Sequence, residues 1–437
     1  MKTKTKKHRD IHSLETRLIH GKPITKKWDF SHHVVPPISS SCTFRLDTAE
    51  RGAQGFAEFA HHDNGDKIKS RAPIYVYDRL GEPNKEVLEE NLAMAEHGEV
   101  AVTFSTGMAA ISAALGSLTG SGDEIVAHHM LYGCTYSLLT NWYPRYRISA
   151  TFVDMKDPLV LRRAISERSR VVYFETPVNP TLELIEISAI ADAVAEANKH
   201  RPQTRKIYVV VDNTFASPFC QRPLERGADV VVASLTKSIC GFGTDMGGVV
   251  VGPQWIQDIL LLYRKDYGGT LGSKSAWPVL VYGLPSLPIR MRQQMESAME
   301  IASFLENESQ VEVASYPGLP SFPQYELAQK QMRDFEGAFS PGSLIYFSLK
   351  GKTPKARHDS GVKFIDYLAK NAYAITLAVS LGQVRTLVEH PSSMTHAAIP
   401  LDEQVKRGMD PGGIRLSIGL EKASDIIHDL VKALNSL

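Results

Sequence analysis

From about residue 85 onward the apolar positions alternate between two rhythms. A helical spacing over 85–96 gives way to an apolar run at 100–104, then to a small-residue helical pattern over 107–118 and another short run at 124–127. Runs at 171–174, 208–211 and 230–233 are rich in β-branched residues, and helical stretches such as 185–198 lie between them. Uninterrupted apolar runs of this length suit strands buried on both faces. Strands alternating with helices predict a mainly parallel sheet covered on both sides.

After residue 291 the rhythm changes. A long helical pattern reaches residue 306, strand-like runs occupy 343–349 and 414–417, and helical stretches occupy 362–371 and 424–434. This part reads as a smaller α+β unit. Residues 1–80 hold no sustained period, because Pro36, Pro37, the Ser39-Ser40-Ser41 run and a polar stretch over 61–69 interrupt it. The chain is expected to divide into an N-terminal arm (1–81) making contacts between subunits, a large domain (82–287) and a C-terminal α+β domain (288–437). For 437 residues, at about 150 per domain, such a division is ordinary.

Composition removes several function classes. Lys plus Arg number 49 and Asp plus Glu 48, a net charge of +1; a phosphate backbone demands a basic excess, so no nucleic acid is expected as partner. Mean hydropathy is −0.16, and no apolar run approaches the roughly 18 residues that cross a bilayer, so no membrane association is expected. The basic start (Lys2, Lys4, Lys6, Lys7, Arg9) is followed by no apolar stretch and reads as a solvated tail. Cys42, Cys134, Cys220 and Cys240 form no C-x-x-C pair, which points to free thiols and a cytoplasmic setting. The adjacent pairs His32-His33, His61-His62 and His128-His129 read as surface or loop residues, and no metal site is expected.

The most informative stretch is Ala233-Ser234-Leu235-Thr236-Lys237-Ser238-Ile239-Cys240-Gly241, where an apolar run ends in two hydroxyls and a lysine. A lysine amine becomes a nucleophile toward carbonyl carbon when burial or a nearby cation lowers its basicity. Most lysines are merely solvated, and a lone Ser-x-Thr-Lys decides nothing. Upstream, however, Tyr208-Val209-Val210-Val211-Asp212 places a carboxylate at a strand end in the same sheet. Pyridoxal phosphate needs both groups: a lysine for its aldehyde and an acid that keeps its ring nitrogen protonated. Ser105-Thr106-Gly107-Met108 follows a strand and opens a helix, where free N–H groups attract a phosphate.

Taken together, these residues resemble the Cys/Met-metabolism family of fold-type I pyridoxal-phosphate enzymes. That group contains cystathionine synthases and lyases, homoserine-ester sulfhydrylases and methionine γ-lyases. The resemblance runs from about residue 34 to the C-terminus. It also takes in Tyr77-Asp78-Arg79, Pro177-Val178-Asn179-Pro180 and Arg415-Leu416-Ser417-Ile418-Gly419-Leu420-Glu421. It implies a fold-type I, transferase-like α/β architecture with the cofactor on Lys237 and Asp212 against its ring nitrogen. Gly107, Met108, Ser234 and Thr236 would bind its phosphate, with Tyr77 and Arg79 reaching that phosphate from a neighbouring subunit. Tyr132 would stack on the ring and protonate the leaving sulfur. Arg415, helped by Asn179 and Ser380, would take the substrate carboxylate. An arginine inside the apolar run 414–418 is expensive to bury unpaired, so a carboxylate partner is expected.

Within the group, four features point toward γ-elimination from methionine. Cys134 follows Tyr132-Gly133, where a thiol would lie near a substrate sulfur, and is counted among the catalytic residues. Val379 stands before Ser380 where cystathionine-handling relatives carry a glutamate. Lys265-Asp266 and the stretches 315–324 and 389–396 resemble the methionine-cleaving members. The alternatives are cystathionine γ-lyase or γ-synthase activity, or O-acetylhomoserine sulfhydrylation. Departures from the family pattern are Glu82-Pro83-Asn84, Gly241-Phe242-Gly243 and a longer segment at 61–71. The substrate is expected to be a small sulfur amino acid, and the assembly a homotetramer built as a dimer of dimers. A nicotinamide enzyme is disfavoured because no early strand–helix unit carries G-x-G-x-x-G.

Overall fold

The computed structural model describes residues 12–21, 33–59, 74–395, 401–406 and 408–437; the long segment at 61–71 and the basic start lie outside them. Seven strands form the large sheet: β1 (Val100–Phe104), β2 (Glu124–His128), β3 (Ser149–Val153), β4 (Ser169–Glu175), β5 (Tyr208–Asp212), β6 (Val230–Ser234) and β7 (Gly248–Gly252). Their order is β1-β7-β6-β5-β4-β2-β3. β3, β2, β4, β5 and β6 run parallel, while β7 is antiparallel to both β6 and β1. The Val-rich central strands are covered on both faces, where their branched side chains pack best.

The helix Gly107–Leu118 starts at Thr106, whose hydroxyl accepts the Ala109 N–H at 3.0 Å. Its small residues let it lie close over β6 and β7. The helix Pro83–Ala95 is capped by Glu82, which accepts from the Asn84 and Lys85 amides, and Pro83 occupies its first turn. Asn84 accepts from the Ser39 amide at 2.7 Å and donates to the Pro37 carbonyl at 3.0 Å. The departure Glu82-Pro83-Asn84 thus caps a helix and ties down the arm.

The second sheet contains β8 (Val311–Ser315), β9 (Leu344–Leu349), β10 (Ile375–Leu377), β11 (Thr386–Glu389) and β12 (Gly413–Ser417), ordered β10-β11-β12-β9-β8. Its core joins Phe347, Leu416 and Ile414 to Phe364 of the helix Pro354–Asn371 and Leu430 of the helix Ala423–Leu434. The helix Leu284–Glu306 crosses the expected boundary at 288. Its first turns bury Leu284, Leu287 and Met291 in the large core, and its later turns bury Ala298, Ile301 and Leu305 in the small one.

Candidate active site

The parallel strands β4, β5 and β6 deliver their C-terminal ends to one rim, which is where open α/β sheets hold ligands. Asp212 ends β5 with Glu175 of β4 directly beside it in register. The Asp212 carboxylate accepts from the Thr214 amide at 2.9 Å and from the Tyr173 hydroxyl at 3.3 Å. Glu175 accepts the backbone N–H of Tyr132 at 2.7 Å. Burial pushes both acids up, and the Asp212 charge contributes to lifting Glu175 to about 8. Asp212, with the richer set of donors, is the better anion of the two, and a cation facing it would be strongly held.

Lys237 lies in the turns that follow β6. Its Nζ donates to Ser380 Oγ at 2.7 Å across from the small-sheet side. Burial, and then the Arg415 guanidinium, lower its basicity to about 8. An amine so placed is a neutral nucleophile or base in a useful fraction near neutrality. Ser380 holds this position with φ +96°, a left-handed conformation unusual for a side chain larger than glycine.

Opposite, the helix Gly107–Leu118 abuts the end of β6. A Cβ on Gly107 would sit 2.9 Å from Ser234 Cβ, so only glycine lets the helix start approach the strand end this closely. The Gly107 and Met108 amides in the first turn have no acceptor in helix geometry and belong to the helix end that packs on Ser234. Thr236 Oγ1 accepts the Gly247 amide at 3.1 Å, fixing the next turn. Tyr132 is 45% exposed; its phenol contacts the Cys134 thiol, and that contact followed by burial pushes it up to about 12. Cys134 is exposed.

Tyr77 and Arg79 form a pair of their own. They contact each other, ring to guanidinium at 5.7 Å, and Arg79 donates to the Lys265 carbonyl. Lys265 and Asp266 form a solvated pair at 3.4 Å. Val379 is 61% exposed.

Arg415 in β12 donates to Asn179 Oδ1 at 2.9 Å, to the Ser380 carbonyl at 3.1 Å and to Glu389 Oε2 at 2.8 Å. The carboxylate partner expected from its burial is therefore already supplied within the chain. Glu389, paired across the strands with Arg415, was not picked out as a site residue from sequence, nor was Glu175. Each ends an apolar strand, and only the register reveals its neighbour. A second correction concerns His128, which is fully buried at the end of β2 rather than on the surface. His128, His129 and Asp154 converge within 4.8 Å, but the His128 Nδ1 lone pair accepts the Met155 amide at 3.1 Å, which leaves Nε2 protonated.

With the geometry in view, the chain matches the family described as Cys/Met metabolism PLP-dependent enzyme over residues 15–435, and it belongs to that family. It is 41% identical to an L-methionine gamma-lyase of Porphyromonas gingivalis, over 97% of each chain. A cystathionine gamma-lyase of Bacillus subtilis is 35% identical over 83% of this chain and 89% of that one. Among solved structures, a cystathionine gamma-lyase from Lactobacillus plantarum complexed with L-serine superposes with a TM-score of 0.80 at 30% identity, covering 97% of this chain and 99% of that one. The protein is a pyridoxal-phosphate-dependent lyase of fold type I, and the rim fits that cofactor. It offers an amine of lowered basicity, an acid for a ring cation, and a helix start packed tightly enough to present its amides.

Proposed function

We propose that the protein cleaves the carbon–sulfur bond of L-methionine by γ-elimination, consuming water and yielding methanethiol, 2-oxobutanoate and ammonia. The observation that carries this reading is the likeness, at 37–41% identity, to six L-methionine gamma-lyases. The cystathionine gamma-lyases of Bacillus subtilis and Dictyostelium discoideum stand at 34–35%. The apolar Val379 beside Ser380 agrees with a thioether tail. Lys237 would hold pyridoxal phosphate, which when bound stores the negative charge that develops on the substrate. Asp212 would keep the positive charge of the ring nitrogen in place, while Gly107, Met108, Ser234 and Thr236 would hold the phosphate. Released by the incoming substrate amine, Lys237 would take the proton from Cα and then serve at Cβ. Arg415 and Asn179 would fix the carboxylate, with Ser380 holding both Lys237 and Arg415. Tyr132, with Cys134 beside it, would give its proton to the departing sulfur.

Tyr77 and Arg79, which contact each other and, through Arg79, the Lys265 carbonyl, suit a role at the phosphate of a second copy. We therefore propose at least a dimer, and a tetramer as two such pairs, working in the cytoplasm. The division into arm, large domain and C-terminal domain is proposed on the same footing, with the helix Leu284–Glu306 serving both cores. No helix among the described residues is long and apolar enough to cross a membrane. The experiment is a substrate panel with the purified holoenzyme: L-methionine, L-cystathionine, and O-acetylhomoserine with sulfide. Release of 2-oxobutanoate and methanethiol from methionine is the expected result; turnover of cystathionine alone would replace this reading.

A further inference from the structure

We infer that Glu389 is the positioning residue of this site, orienting Arg415 and setting the charge that Lys237 and Tyr132 feel. The inference rests on the reading of Arg415 as the anchor for the substrate carboxylate, and adds the group that acts through it.

Glu389 ends β11 directly across from Arg415 in β12. Their side chains are 3% and 6% exposed and joined at 2.8 Å. The two protons of Arg415 Nη2 go to Glu389 Oε2 and the Ser380 carbonyl, and one proton of Nη1 goes to Asn179. Three acceptors from three separate segments therefore fix the guanidinium plane, and Glu389 is the only anion among the three.

Glu389 touches Arg415 on β12 and bonds with Thr395 from the chain following β11; Lys237 after β6 is linked to it through Ser380 and Arg415, and the Glu389 charge also reaches Tyr132 after β2. Arg415 makes Lys237 less basic, and Glu389 opposes it. Removing the carboxylate would leave the buried Arg415 cation unpaired beside the half-buried Lys237 amine, which their mutual repulsion makes unfavourable. A partner serving stability alone would need no line to the amine and the phenol. Glu389 acts on both.

Glu389→Gln retains an oxygen that can accept from Arg415 but deletes the charge; Glu389→Ala deletes both. The pH titration of the holoenzyme's visible absorbance reports the proton on the Lys237 nitrogen. In Glu389→Gln its midpoint is expected to move about one unit to lower pH, as removal of a nearby anion requires. In Glu389→Ala the KM for L-methionine is expected to rise about tenfold, as loss of one charge-assisted hydrogen bond at the anchor implies, while Glu389→Gln raises it far less. A titration in Glu389→Gln that superposes on the wild type overturns the inference, as does an unchanged KM in Glu389→Ala. Arg415→Ala is the separate control: if its KM is also unchanged, the reading of Arg415 as anchor is what has failed.

Discussion

At the scale of single residues, the physics of the site concentrates in Lys237, a cation held where water is scarce. Its folded value of about 8 lies below the ordinary 10.5, so in the protein without cofactor the charged amine is disfavoured. Below about pH 8 the folded chain carries the full penalty. Between the two values the unfolded chain binds more protons than the folded one, so stability climbs with pH, and above them the penalty is gone. Lys237→Met is therefore expected to stabilise the cofactor-free protein near pH 7 by on the order of 3 kcal/mol. That advantage should shrink as pH rises toward about 10. Urea unfolding across this range measures it, and an advantage independent of pH would mean that the amine is solvated. The candidate lysine and aspartate were legible from sequence because each follows a β-branched run. Glu389 and Glu175 were not: Glu175 also follows a β-branched run, but the cofactor chemistry that paired Asp212 with Lys237 asks for no further acid, and the neighbours of both glutamates appear only in the sheet register.

Among elements, the close approach of the helix Gly107–Leu118 to the end of β6 is what builds the anion cradle. Gly107→Ala places a methyl against Ser234 Cβ at 2.9 Å and must push the helix start off the strand. Overpacking of this kind is expected to weaken cofactor affinity by at least about tenfold. Fluorescence titration of the cofactor-free protein tests this, and wild-type affinity would show that the first-turn amides do not hold the phosphate. The central strands and this helix were readable because their patterns are long or uninterrupted. β7 was missed: the glycines at both ends of Gly-Val-Val-Val-Gly read as turn signals, although the strand lies between β1 and β6. β10 and β11, of three and four residues, were missed for their brevity, and β8 because Glu312 and Ser315 break its apolar run. The helices Leu14–His20 and Ala49–Glu58 lie where prolines and polar runs hid any period.

For the whole molecule, the proposed dimer has each rim completed by a second copy. Arg79 and Lys237 would then serve different sites, which mixing can reveal. Chains carrying Lys237→Ala and chains carrying Arg79→Ala should each be impaired alone. Dissociated and reassembled together, they should recover activity, because a mixed pair contains one rim with both groups intact. Failure to recover in verified mixed oligomers would place Arg79 outside the phosphate site. The large parallel sheet with its smaller α+β partner was foreseen from the alternation of strands and helices. The gathering of Arg415, Asn179 and Ser380 at the site of Lys237 was implied by the family resemblance, whereas the bonds that join them, and Glu389 against Arg415, appear only in the folded arrangement. Everything at this rim depends on the amine at 237 being where the cofactor is attached. Borohydride reduction of the holoenzyme followed by peptide mass spectrometry tests it most directly. A reduced pyridoxyl-phosphate adduct is expected on the Lys237 peptide; an adduct confined to other lysines, or none at all, would show that the cofactor is held elsewhere.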